Sequence, residues 1–181
     1  TKTNGTFTHN SSTVSFDGAA AQSVNAPTTF ANIIASNTHA SGLTFVSSFT
    51  AAQLYVNTLP ASATIYFTAG STVTISTFNV NGTSSNHVTL KSTAGSVWYL
   101  NNTSQNSVSY VDVQYSSASA GQTIYAGATS VNFGTNFNWV FAPAGVATLT
   151  WQGDDGTSPT DWSVPENWDI NRIPTTGDKA I

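Results

Sequence analysis

The chain has 181 residues, only 7% of them charged, with a formal net charge of −4 at pH 7. An ordinary soluble domain carries about 25% charged residues; here Thr, Ser and Asn fill the gap. The weak negative charge excludes the basic stripe of a nucleic-acid binder, short apolar runs exclude a transmembrane helix, and 12% aromatic residues argue against disorder.

The order of elements begins with Thr13–Phe16, where apolar and hydroxyl residues alternate as in a half-buried strand. Further strands are expected at 43–46, 53–56, 64–67, 72–75, 77–80, 87–90, 97–100, 108–113 and 123–125. Asp17-Gly18, Ala69-Gly70 and Asn81-Gly82 supply turns, since Gly accepts positive φ. No segment holds a helical apolar period, and Ala19–Ala21 is too short to nucleate a helix. Strands recurring at this pace fit two closures. One is an antiparallel β-sandwich; the other is a parallel β-helix of stacked rungs. Loose Ser/Thr/Asn-rich connections and uncharged outer faces favour the rungs, because stacked like charges repel while Thr and Asn ladders hydrogen-bond. Val14, Phe16, Phe45, Leu54, Val56, Ile65, Phe67, Val73, Ile75, Leu90, Val108 and Val111 are then expected to point inward.

Charge marks a boundary. Residues 1–150 hold Lys2, Asp17, Lys91 and Asp112 and no other charge. Residues 151–181 hold Asp154, Asp155, Asp161, Glu166, Asp169, Arg172, Asp178 and Lys179, with Trp151, Trp162, Trp168, Pro159, Pro165 and Pro174. The reading is a β-solenoid domain over 1–147 and a Trp/Pro/Asp-rich segment over 148–181, either the start of a following module or a connector between subunits. Cys and Met are absent, which excludes disulfides and thiolate metal sites. The missing Met and signal peptide lead to the expectation of a processed or excised piece of a longer protein. Few Lys and Glu and many Thr, Ser and Asn suggest an extracellular product. Asn4, Asn10, Asn81, Asn101 and Asn102 open glycosylation sequons.

Particular stretches resemble a family. Asn4–Thr8, Ser12–Gly18 and Gln22–Val24 resemble the "GTFT…GTVTFDG…QTI" repeat of large secreted bacterial surface proteins, and Thr28–Ile33 resembles their "TTFYNLTI" step. Phe67–Ile75, Leu90–Trp98, Val108–Val113 and Asn136–Trp139 are similar to the "F.AGSTVTI", "LRSTSPGTQW", "VSYVDV" and "NNTGW" steps. Trp151–Gly153, Asp161-Trp162, Glu166–Trp168 and Pro174–Asp178 resemble the "W.G….W….NW….VP..GD" opening of the next module. The resemblance implies a right-handed parallel β-helix in a multi-module cell-surface or secreted protein, and no catalytic residues.

Candidate chemistry is sparse, and no residue is assigned a catalytic, cofactor-binding or metal-ligating role. Glycoside chemistry needs two carboxylates about 5–9.5 Å apart. Asp17 and Asp112 are the solenoid's only carboxylates, and at about 22 residues and about 4.8 Å a rung they stand on the order of 20 Å apart. Lys91 and Asp112, about one rung apart, are expected to form a stacked ion pair. His9, His39 and His87 are expected as isolated surface histidines. Thr6/Thr8, Thr72/Thr74 and Thr148/Thr150 form Thr-x-Thr pairs that skip too many rungs for an ice-binding face. Tyr55, Tyr66, Tyr99, Tyr110 and Tyr125 are read as core or packed-face residues, and Tyr115 joins them only in a sugar-stacking strip. Trp151, Trp162 and Trp168 are read as a small core, with glycan or Ca²⁺ binding as the functional alternative. The function expected is a non-catalytic structural or adhesive module that adds strands at its ends to itself or to adjacent modules, and so assembles head to tail. The alternative is a carbohydrate-binding β-helix whose exposed aromatics meet surface glycans.

Overall fold

The computed structural model describes residues 7–25, 28–56, 59–141, 148–153, 156, 158–169, 173–174 and 179–181. Expectations on Lys2, Asn4, Thr6, Val146, Ala147, Asp154, Asp155, Arg172 and 175–178, and on the side chain of Glu166, lie outside the described residues. The chain divides into two compact units, Thr1–Phe141 and Ala142–Ile181.

The first unit is all-β. Its strands are β1 (Thr13–Phe16), β2 (Gln22–Val24), β3 (Thr29–Ala35), β4 (Leu43–Phe45), β5 (Phe49–Val56), β6 (Ala63–Phe67) and β7 (Thr72–Asn81). After them come β8 (Val88–Ser92), β9 (Trp98–Ser109), β10 (Val111–Gln114), β11 (Ser116–Ser117), β12 (Ile124–Tyr125), β13 (Val131–Asn132) and β14 (Trp139–Val140). One six-stranded sheet runs β1-β3-β5-β7-β9-β11 and a second runs β2-β4-β6-β8-β10-β13. The pairings in both are parallel. The chain thus alternates between two sheets and advances one strand per turn, a β-solenoid of about five turns. This is the stacked-rung closure, and the antiparallel sandwich is set aside.

Stacking explains the sequence pattern. Many inward residues fall in register on apolar residues one rung away, while Phe67, Ile75 and Trp98 fall on the buried Ser92, Asn102 and Ser116. Leu43, Ile65, Leu90 and Val113 form one such column, and Val56, Val80 and Val108 another. Phe45 lies parallel to Phe67, ring centroids 5.8 Å apart, and Phe67 stacks on Trp98 at 4.0 Å. All the residues expected to point inward belong to this core, with Val14 and Phe16 partly buried at its first rung. Each fully buried side chain of this size contributes roughly 1.5–3 kcal/mol.

Two local features depart from simple alternation. The expected strands 72–75 and 77–80 are one strand, β7, whose register with β9 shifts between Ile75 and Thr77. Asn102, fully buried, fills the shift: its Nδ2 donates to the carbonyls of Ile75, Ser76 and Gln105 at 2.9–3.0 Å, and its Oδ1 accepts from Asn106 Nδ2 at 3.0 Å. Gly121 packs against the Asn102 backbone so closely that a Cβ would collide with it. Similarly, the expected strand 108–113 is broken at Tyr110, which has φ 51°. In a continuous strand, Val108 and Val111 would face opposite sides. The left-handed corner carries the chain from one sheet to the other, so both are buried.

The second unit pairs β15 (Thr148–Leu149) in parallel with β16 (Lys179–Ala180) and includes a short 3₁₀ turn at Pro165–Asn167. The division after Phe141 comes ahead of the composition boundary read at 147/148, with 142–147 between them. No helix among the described residues is long and apolar enough to cross a membrane.

Candidate functional site

Two places gather side chains with chemistry to offer. The first is the outer face of the β6-β8-β10 sheet. His87, just before β8, has its Nδ1 2.8 Å from the Asp112 carboxylate on β10, both side chains about a quarter exposed. The Tyr110 ring lies edge-on to the imidazole at 5.8 Å. Lys91 does not pair with Asp112: its Nζ sits 4.9 Å from the centre of the Tyr66 ring. Register is the reason. Asp112 pairs with Thr89, while Lys91 pairs with Tyr66 on one side and Gln114 on the other. The two charges are therefore one pleat apart along the strands, and each takes the nearer partner. This corrects the expected ion pair and the expected isolation of His87. His9 and His39 do lie in turns, where each Nδ1 accepts the backbone N–H two residues on, at 3.1 and 3.0 Å. A partly exposed His–carboxylate contact of this kind is worth at most about 1 kcal/mol.

Asp17 follows β1 in the first turn, whereas Asp112 lies four strands further along the stack. At the strand spacing of a sheet that is about 19 Å, so the fold does not bring the carboxylates together. Of the core or packed-face reading the tyrosines take the second form: Tyr55, Tyr66, Tyr110, Tyr115 and Tyr125 are half-buried, and Tyr99 is exposed. They do not align into a strip: Tyr55 stands beside Ile34 and Asn79, Tyr66 beside Thr44 and Lys91, Tyr99 beside Thr72 and Ser117. The columns that do repeat are hydroxyl and amide ones, Thr29-Thr50-Thr74-Asn101 and Asn32-Gln53-Thr77-Gln105.

The second place is the tryptophan cluster of the second unit. Trp151 and Trp162 stack with centroids 5.4 Å apart and planes 24° from parallel. Trp168, only 1% exposed, meets both edge-on. The trio does form a small core, but Trp162 is 63% exposed. Nothing in the spacing of the tryptophans distinguishes it. The flanking turn residues Pro159, Asp161 and Ser163 were the available signal. Asp161 accepts from the Ser163 hydroxyl at 2.6 Å and the Ser163 N–H at 2.8 Å, and these bonds hold its carboxyl below the ordinary aspartate range.

Compared with protein-family models, curated proteins and solved structures, the chain matches none of them. The class that the fold defines is a parallel β-solenoid with a separate Trp-centred unit.

Proposed function

We propose that the chain is a non-catalytic structural or adhesive module of an extracellular or cell-surface protein, of the repeat-containing bacterial kind that its sequence resembles. The observation that carries this reading is the uninterrupted two-sheet stack, with one apolar core and outer columns of Thr, Asn and Gln. Such a rod transmits load through continuous backbone ladders, and its surface presents few charges. The distance between Asp17 and Asp112 supports the absence of glycosidase chemistry. The scattered tyrosines lend the sheet faces no sugar-stacking strip.

The ends of the stack support head-to-tail addition. Among the described residues, β1 is one edge of its sheet, and β13 is the far edge of the other. Neither strand contains a charged residue, and charge is the usual block to edge pairing. Val131, Phe133 and Phe137, in the last turn, are 42%, 59% and 53% exposed. A neighbouring module or a second copy adding a parallel strand there would build an open, heterologous array. Two measurements test the proposal. Surface proteolysis and antibody labelling of intact source cells should reach the protein; protection until lysis overturns the location. Light scattering at rising concentration should show growth that Val131→Lys suppresses. A strictly monomeric wild type removes the assembly.

A further inference from the structure

Trp162 combines two properties that rarely coincide: its indole is largely in water, and its position is rigidly held. The Trp151 ring backs it on one face, and Trp168 closes the edge of the stack. The backbone beneath is pinned at successive residues. Trp168 Nε1 donates to the carbonyl of Trp162 at 3.2 Å. Asn167, fully buried, donates from Nδ2 to the carbonyls of Asp161 at 3.0 Å and Ser158 at 2.7 Å. Asp161 Oδ1 in turn takes both Ser163 donors. A ring fixed before its partner arrives loses little conformational entropy on binding, which is what makes an exposed aromatic an effective anchor.

We propose that Trp162 is a stacking platform for a sugar ring of a neutral glycan, with Asp161 as the adjoining hydroxyl acceptor. This goes beyond the structural reading above and does not rest on it. An indole face suits the C–H face of a pyranose, whose rim of hydroxyls then needs acceptors. Asp161 is the residue before the platform, and its carboxylate has acceptor capacity beyond the two Ser163 bonds. A proline-rich segment would also stack on indole, but it brings few donors for a carboxylate. An acidic glycan would be repelled by Asp161 and by the exposed Asp169 of the same unit.

The test uses the full chain in affinity electrophoresis through gels containing mixed-linkage glucan, xylan or galactomannan. At least one polysaccharide should retard the wild type. Trp162→Ala should weaken that binding about tenfold or more, Trp162→Tyr should keep most of it, and Asp161→Asn should weaken it a few-fold. Trp162→Tyr retains a ring against Trp151, so it serves as the folded control if Trp162→Ala disturbs the unit. A wild type unretarded by all three polymers overturns the proposal, and so does a folded Trp162→Ala that is retarded equally. Trp fluorescence quenched by a polyproline peptide but by none of the sugars would assign the platform to a peptide instead. Dimerisation lost in Trp162→Ala, without a sugar effect, would assign it to a second copy. Growth of the solenoid at Val131 is a separate readout, so either reading can fail alone.

Discussion

The two units reach a buried core by opposite means. The solenoid repeats: an inward side chain on one rung sits on an apolar residue of the next, as Leu43, Ile65, Leu90 and Val113 do. The second unit concentrates: Trp168 touches both other indoles, and Asn167 ties down the surrounding turn. Repetition spreads stability over neighbours and tolerates variable connections. Concentration lets a short, turn-rich segment fold with little regular structure, but makes it depend on very few residues. It also explains where the exposed indole arises. Within the stack an aromatic can be covered on both sides by the neighbouring rungs, as Phe67 is between Phe45 and Trp98, whereas a three-ring cluster leaves an outer face.

The same kind of truncation in each unit gives the largest effects. Phe67→Ala and Trp168→Ala each remove a fully buried aromatic and should cost about 3–5 kcal/mol. Hydrogen exchange read by mass spectrometry separates the outcomes. Phe67→Ala should lower protection over residues 43–100 and leave 148–169 unchanged, while Trp168→Ala should abolish protection over 148–169. Loss of protection in both regions from either variant would show that the contrast between repetition and concentration is false.

Next in size is Asn102→Ala, expected to cost about 1–3 kcal/mol because the carbonyls of Ile75, Ser76 and Gln105 lose a buried donor. Urea midpoints measure it. A loss smaller than that of an exposed Thr50→Ala control would mean that the register shift holds without Asn102.

Asn102 also marks the limit of what sequence showed. The alternation of Val, Ile and Phe with Thr located most strands, and it placed Leu54, Ile65, Val73 and Leu90 inward. The strand 29–35 carries Phe30-Ala31 together in the interior, which breaks the period of two and hid it as a strand. The corner at Tyr110 has no Gly to announce it. Rung length in the six-stranded sheets varies, from 18 residues between Trp98 and Ser116 to 28 between Thr77 and Gln105, so a constant repeat misplaced Lys91 against Asp112. The density of tryptophans pointed to Trp151, Trp162 and Trp168 as one cluster, but exposure depends on which ring the turn lifts outward, and no spacing encodes that.

The His87–Asp112 contact offers a smaller test of the solenoid's outer face. Asp112→Asn should change stability by about 0–1 kcal/mol, since both groups are partly hydrated and the core beneath is complete. Denaturant midpoints of the wild type and of the variant check this. A larger loss would mean that the outer face shares the work of the core, and the repetition argument would need revision.

The smallest expected effect belongs to Asp161 and concerns the second unit's response to acid. The Ser163 hydroxyl and N–H, donating to its carboxylate, lower the folded value below the ordinary aspartate range. The sign follows from linkage: the unfolded chain takes up the proton first, so the contribution is complete above the ordinary aspartate range. It is lost as pH falls through that range to the lowered folded value. Because the group is fully exposed, the contribution is small and should fade in high salt less than a surface ion pair would, as its source is two short hydrogen bonds. Carbon NMR of the Asp161 carboxyl should give a midpoint below that of an unstructured peptide of the same local sequence, and Ser163→Ala should bring the two together. Equal midpoints in the wild type would show that the Ser163 bonds are not maintained in solution, and the turn presenting Trp162 would then be held by Asn167 and Trp168 alone.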